Sequence, residues 1–459
     1  MRRLRYWKAA AAGGLLVAAF FGAVSWQLGP RAEQARPSTL APRAEQARPS
    51  TLAPLTGLEE SSEEAPLSYA PMLSWDKDTQ AVVYELEVYA DAAARHRIFR
   101  TRQVYTNHYQ LPLRTFAGKW LGKPLYWRVR SLGFDGEPVS AYSKLATLYT
   151  AETVPELDHP LILAQSDTGN GTTLLYPVYD WVGLAGAAGY EIELYAGTGA
   201  QALSLPPVAV FHADITELYD PEPRIGTYSW RVRALDEAGA PLGSWSPLQT
   251  FRTEPEDHWE TAVLGDSISH GGGHYSFSPS DFEFSWLSYL DFPAVNLSAS
   301  GDLSSMTLAR FSRDVLPFHP RYLMIFTGTN SLRAGEDPAS VIHDLEQMKV
   351  LALSHGIAPI FLTLPPVNPA NIQHVFGEPT AEDWQWRFEA VNEYIRGQAH
   401  IDVAEAFVCP DGVLPTELAL DGLHPDVDGK RIIGACVNEH WAEARRDADA
   451  QLRAYREAR

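Results

Sequence analysis

The chain has 459 residues, 45% of them hydrophobic, with 33 Pro and 33 Gly, which supports several packed domains rich in turns. A formal net charge of −20 sets most of the surface against polyanions, so a nucleic-acid partner is not expected and strongly anionic lipid head groups are disfavoured. In chain order, Arg2, Arg3, Arg5 and Lys8 precede an uncharged, mostly apolar stretch from Ala9 to Leu28. As a helix it would span about 30 Å, the thickness of a bilayer core. Basic residues ahead of it predict a cytoplasmic N-terminus with everything after it exported. Residues 1–29 are therefore read as a signal anchor holding an extracytoplasmic protein to the membrane, with a cleaved signal peptide ending near Ala23-Val24-Ser25 as the alternative. Residues 31–42 recur unchanged at 43–54 and carry too few apolar side chains to build a core, so 30–57 reads as an extended, Pro-rich linker.

Residues 58–153 and 154–254 read as two copies of one β unit. Leu73-Ser74-Trp75, Tyr84-Glu85-Leu86-Glu87-Val88 and Tyr126-Trp127-Arg128-Val129-Arg130 are answered about 100 residues on by Tyr179-Asp180-Trp181, Tyr190-Glu191-Ile192-Glu193-Leu194 and Ser229-Trp230-Arg231-Val232-Arg233. Alternating apolar and polar positions predict half-buried antiparallel strands, with the Trp residues filling a sandwich core. With Tyr142-Ser143 and Trp245-Ser246 near their ends, both units resemble fibronectin type III domains, which implies all-β, immunoglobulin-like sandwiches acting as spacers, or as modules with a surface ligand of their own.

From 258 the pattern changes to short apolar runs alternating with helical stretches, which predicts βαβ units around a mainly parallel sheet. Strands are expected at 261–265, 293–298, 321–327, 358–364 and 401–404. The best-specified helix is 338–355, with Asp337 as N-cap, Pro338 in its first turn and Gly356 past its end. Its Val341, Leu345, Met348 and Leu351 share one face. A last helix is expected at about 428–445, followed by a charged, solvated helical tail over 446–459.

Four blocks at predicted strand ends or loops carry chemistry: Gly265-Asp266-Ser267, Asn296 to Asp302, Phe326-Thr327-Gly328-Thr329-Asn330 and Asp421-Gly422-Leu423-His424-Pro425. A Ser hydroxyl is a poor nucleophile at neutral pH and needs a base within hydrogen-bond reach and a third group to orient that base. Ser267, His424 and Asp421 fit those roles. In this order the blocks resemble the SGNH hydrolases, also called the GDSL esterase/lipase family, over about 257–440. The resemblance implies a three-layer α/β/α, flavodoxin-like catalytic domain, here 255–445, with the Ser267 and Gly301 N–H groups and the Asn330 amide as the oxyanion hole and no metal or organic cofactor. The chain has Ser331 where the family usually places Asp, and Ser269 where a Gly-x-Ser-x-Gly elbow would have its second Gly.

After the nucleophile, His270-Gly271-Gly272-Gly273-His274-Tyr275 is expected to rim the site, with His270, His274 and Tyr275 shaping the substrate; two His on a loop are too few for a metal. Cys409 and Cys436 either pair, as an exported compartment permits, or remain thiols. The expected activity is a serine esterase acting on an acylated glycan, for which O-acetyl groups suit an exported enzyme on spacers. The alternatives are a lipase or lysophospholipase with an acyl groove of Phe277, Phe282, Phe284 and Trp286, or a non-catalytic adhesion protein with a retired hydrolase domain.

Overall fold

The computed structural model describes residues 52–163, 170–274, 276–407 and 409–459. The anchor, nearly all of the duplicated linker and Tyr275 lie outside the described residues, within which no helix is long and apolar enough to cross a membrane.

The first β unit has strands β1 (Met72–Ser74), β2 (Val83–Tyr89), β3 (Arg97–Val104), β4 (His108–Gln110), β5 (Leu125–Leu132) and β6 (Ala146–Leu148), plus the short helix α1 (Leu113–Phe116). They form an antiparallel sheet in the order β3-β2-β5-β6 and a β1-β4 pair. After β7 (Asn170–Leu174), the second unit comprises β8 (Val178–Asp180), β9 (Gly189–Ala196), helix α2 (Gly199–Ala202), β10 (Ala209–Ala213), β11 (Glu217–Tyr219), β12 (Gly226–Leu235), β13 (Pro241–Leu242) and β14 (Gln249–Thr253). Its strands run β10-β9-β12-β13, with β14 also on β12 and β11 paired with β8.

The two units repeat each other in detail. Trp75, Tyr84 and Trp127 cluster in the first core, and Trp181, Tyr190 and Trp230 in the second. On the other face of each sheet two Glu oppose two Arg: Glu85↔Arg130 and Glu87↔Arg128, then Glu193↔Arg231 and Glu191↔Arg233. The guanidinium groups stack on Tyr142 in one unit and Trp245 in the other, and Ser143 and Ser246 accept the N–H groups of Val129 and Val232. Thus the closing Tyr-Ser and Trp-Ser pairs have one job in both copies: they cover an Arg ladder and satisfy the adjoining strand. Burial alone would raise the Glu85 carboxyl, but hydrogen bonds from Arg102, Tyr142, Arg100 and Arg130 outweigh it and hold it at about 2.

The C-terminal region, expected to be the catalytic one, follows the 2-1-3-4-5 strand order of flavodoxin-like sheets. All its strands are parallel: β15 (Thr261–Gly265), β16 (Ala294–Asn296), β17 (Tyr322–Phe326), β18 (Ala358–Leu362) and β19 (His400–Ile401) lie in the order β19-β18-β17-β15-β16. Every residue of β15, β17 and β18 is buried, so both faces are covered. The helices are α3 (Ser267–His270), α4 (Ser304–Asp314), α5 (Thr329–Arg333), α6 (Pro338–Ser354), α7 (Pro369–Phe376), α8 (Trp384–Arg396) and α9 (Val427–Glu457). Helices α4, α6 and α8 pack side by side, while α9 packs against β18, β19 and the 286–289 turn. The expected caps of α6 are present: Asp337 accepts the Ala339 N–H at 3.0 Å, and Gly356 has φ +78°.

Three boundaries differ from expectation. Residues 52–57, expected as linker, belong to the first unit, since Ala53 O accepts the Ala141 N–H, Thr56 O accepts the Asp76 N–H, and Leu55 packs on its core. Strand β7, inside the presumed second unit, extends the catalytic sheet beside β16. The expected tail is no separate segment, because α9 runs unbroken to Glu457 and buries Ala448 and Leu452 in the catalytic core.

Candidate active site

Ser267, Gly301 and Asn330 follow the carboxyl ends of β15, β16 and β17, where the strand order reverses and open α/β sheets bind ligands. Asp266 caps α3 by accepting the Ile268 N–H at 3.1 Å, which sets Ser267 in its first turn. The Ser267 hydroxyl lies 2.9 Å from His424 Nε2, and His424 Nδ1 lies 2.8 Å from Asp421 Oδ2. Asp421 Oδ1 accepts the N–H groups of Leu423 and His424, each at 2.8 Å. Gly422 makes this tight loop possible: its φ is +79°, and a Cβ there would come within 2.6 Å of Asn368 O. Burial would raise the Asp421 carboxyl, but His424 and the two backbone donors outweigh it and hold it below its ordinary value. The three residues named from the sequence therefore form one continuous hydrogen-bonded chain from hydroxyl to carboxylate.

The expected oxyanion donors, Gly301 and Asn330, follow the strands on either side of β15. Gly301 has φ +87°, and a Cβ there would meet nothing within 4 Å. The Asn330 amide donates to Asp302 O at 3.1 Å, and its Oδ1 accepts from Arg333 Nε at 3.3 Å. Because Arg333 can only donate, it fixes which end of the amide is NH₂. Arg333 was not visible as a site residue in the sequence, and neither was Arg310. The buried Arg310 guanidinium binds Asp302 Oδ2 at 2.6 Å, Leu297 O at 2.5 Å and Gly265 O at 2.9 Å, tying together the ends of β15 and β16. Asn296, quoted only as part of a motif, donates to the carbonyls of Ser269 and His270 at 2.7 and 3.2 Å and so anchors the end of α3. Ser331 accepts the Ser304 N–H at 3.1 Å at the start of α4, a structural use for the residue that departs from the family pattern. Replacing Asn330 with Ala is expected to lower kcat for ester hydrolysis by about 10² to 10³, the loss typical of one oxyanion donor, measured as initial rates on a short-chain ester.

The glycine-rich loop differs from expectation. His270 is buried, with Nε2 2.7 Å from Tyr176 O and Nδ1 2.8 Å from the Ser300 hydroxyl. A carbonyl can only accept, so Nε2 carries the proton and Nδ1 accepts from Ser300. His274 is fully buried against Phe134, Phe277 and Phe284, with Nε2 3.4 Å from Thr79 O. Both rings are held among protein groups rather than presented at a rim, and the cause is the packing of the β units over this loop. Burial also pushes each imidazole down to about 4. The unfolded chain then binds more protons between that value and the ordinary 6.5, so each ring's contribution is whole above 6.5 and lost as pH falls toward 4, about 3 kcal/mol apiece. The stability gap between wild type and His270→Asn, from denaturant midpoints, should accordingly narrow as pH drops from 7 to 4.

Beneath α3, Lys430 donates to Ile268 O at 2.7 Å and lies near Asp266 and Asp426. Burial pushes these carboxyls up to about 7 and about 8 and pulls the ammonium down to about 7. Cys409 and Cys436 are unpaired; Cys436 faces the Asp402 carbonyl at 3.8 Å, so the expected alternative of a disulfide does not hold. No group of three or more His, Cys, Asp or Glu among the described residues could hold a metal ion.

Residues 263–432 match the GDSL-like Lipase/Acylhydrolase family, and this C-terminal region is of that family. The chain is 26% identical over 191 residues to the Thioesterase 1/protease 1/lysophospholipase L1 of Escherichia coli (strain K12), covering 40% of this chain and 84% of that protein. Among solved structures, a GDSL-like lipase from Bacteroides thetaiotaomicron is 19% identical, with 41% of this chain and 90% of that chain covered and a TM-score of 0.33. A lipase/acylhydrolase from Enterococcus faecalis is 22% identical, with 40% and 94% covered and a TM-score of 0.31.

Proposed function

We propose that the protein is an extracytoplasmic serine esterase, anchored through residues 1–29, that removes O-acetyl groups from a cell-surface or extracellular glycan. The observation that carries the hydrolytic part is the chain Ser267–His424–Asp421, at 2.9 and 2.8 Å, with Gly301 and Asn330 following the strands that flank β15. His424 takes the proton from Ser267 as its oxygen attacks the ester carbonyl, the developing oxyanion is met by the Ser267, Gly301 and Asn330 donors, and His424 returns the proton to the departing alcohol. Water then attacks the acyl-enzyme with His424 again as base. The two β units, read as fibronectin type III-like spacers, carry this site away from the membrane.

A lipase or lysophospholipase activity has support in the name of the Escherichia coli relative. Against it, three of the four aromatic residues expected to line an acyl groove are spent on packing: Phe277 stacks on Phe284 at 4.3 Å, and the buried Trp286 donates to Ser269. Rates on p-nitrophenyl esters from acetyl to palmitoyl test the choice. A peak at acetyl, followed by acetyl release from O-acetylated glycans, supports the deacetylase; a maximum at long chains defeats it.

A further inference from the structure

Among the described residues, the first β unit meets the catalytic region through its 76–82 loop and its 133–137 turn. Its 76–82 loop fastens the segment after α3: Lys77 Nζ lies 2.7 Å from both Asp281 Oδ1 and Glu283 Oε1, Ser276 donates to Val82 O, and His274 reaches Thr79 O. Its 133–137 turn extends further. The Phe134 ring meets His274 edge-on at 6.0 Å, while Asp135 lies 3.1 Å from His374 on α7. Helix α7 also carries Phe376, whose ring meets that of His424 edge-on at 6.2 Å. The turn thus bridges from the post-nucleophile loop to the helix beside the catalytic imidazole, on the His424 side of Ser267.

That side has a chemical meaning. The imidazolium gives its proton to the leaving oxygen, so the alcohol half of an ester sits toward His424, while the carbonyl oxygen faces Gly301 and Asn330. We propose that the 133–137 turn walls the alcohol side of the substrate cleft and that Phe134 and Asp135 select the alcohol portion of the ester. This deepens, and rests on, the esterase reading. Phe134 is only half-buried and the Asp135 side chain is 72% exposed, so both have surface to offer. The Asp135–His374 pair is exposed and therefore weak, and the carboxylate is free to exchange His374 for a ligand. An aromatic face beside a hydrogen-bond acceptor suits a polyhydroxy alcohol: the C–H face of a sugar ring lies on Phe134 and a hydroxyl donates to Asp135.

The test keeps the acyl group constant and varies the alcohol. With the full chain, kcat/KM is measured for ethyl acetate and for a monoacetylated glucoside, in wild type, Phe134→Ala and Asp135→Ala; the second variant, at an exposed turn position, guards against misfolding of the first. The preference for the glucoside over ethyl acetate should fall at least fivefold in each variant. The acetyl-enzyme formed from either ester, followed in single turnover, should decay at one rate, because the alcohol has already left. Equal losses on both esters would reduce the turn to a structural prop and overturn the proposal, as would no change on either. A wild type inert toward every ester is a separate result that removes the esterase reading itself.

Discussion

Ser267→Ala is expected to fold as wild type does and to lose ester hydrolysis by a factor of about 10⁴ or more, together with covalent labelling by a fluorophosphonate. The substitution removes one buried hydroxyl whose partner is His424 Nε2, and it leaves the Asp266 cap, the Asn296 anchor and the Lys430 bond to Ile268 untouched. Asp421→Asn is the sharper companion. Its remaining oxygen is claimed by the N–H groups of Leu423 and His424, so the amide NH₂ must face His424 Nδ1. That forces the proton onto Nε2, and the imidazole can no longer accept from Ser267. A loss of about 10⁴ in kcat with little change in thermal midpoint is the expected result. Persistent labelling and turnover in Ser267→Ala would place the chemistry elsewhere.

The parts of this site that the sequence disclosed are those whose local patterns also set their positions. Gly-Asp-Ser follows a fully buried strand, and Asp-Gly-Leu-His closes a loop short enough that Asp421 and His424 must meet. Hence the expected strands 261–265 and 321–327 lie within a residue of β15 and β17. Residues that act across long separations gave no such signal. Arg310 and Arg333 stand on helices, where an Arg ordinarily reads as a solvated face, and their duties emerge only when Asp302, Leu297 and Asn330 are brought around them. His270 and His274, flanked by glycines, read as a flexible rim because their burial comes from Tyr176, Thr79 and Phe134 in the other units. The charged spacing of 446–459 likewise concealed Ala448 and Leu452, small or isolated apolar positions that suffice to seat a helix on the catalytic core. Strand β7 was missed because Asn-Gly-Thr-Thr-Leu has no apolar alternation and its opening Asn-Gly reads as a turn.

That missed strand gives the second large expectation: a chain starting at residue 255, where composition divides the units, should not form a stable catalytic domain, whereas one starting at 158 should unfold in a cooperative transition. Leu175 donates its N–H to Asn296 O at 2.9 Å and packs with Tyr176 in the catalytic core. The Tyr176 hydroxyl donates to Asp314 at 2.6 Å, its ring lies under the Arg310 guanidinium at 5.4 Å, and its carbonyl is the acceptor for His270. Cutting at 255 removes all of this. Loss of a buried aromatic costs about 3 to 5 kcal/mol, and leaving the His270 Nε2–H unpaired in the interior adds about 1 to 3. Against a typical domain stability of about 5 to 15 kcal/mol, that is on the order of half or more. The loss would also fall on the machinery of the site, because Arg310 and His270 hold Gly265, Asp302 and Ser300 on either side of the nucleophile. Urea unfolding of the two truncations and of full-length Tyr176→Ala measures each part. Should the 255–459 chain match the longer one in midpoint and slope, the second β unit would be a mere neighbour of the catalytic sheet and not the source of its edge.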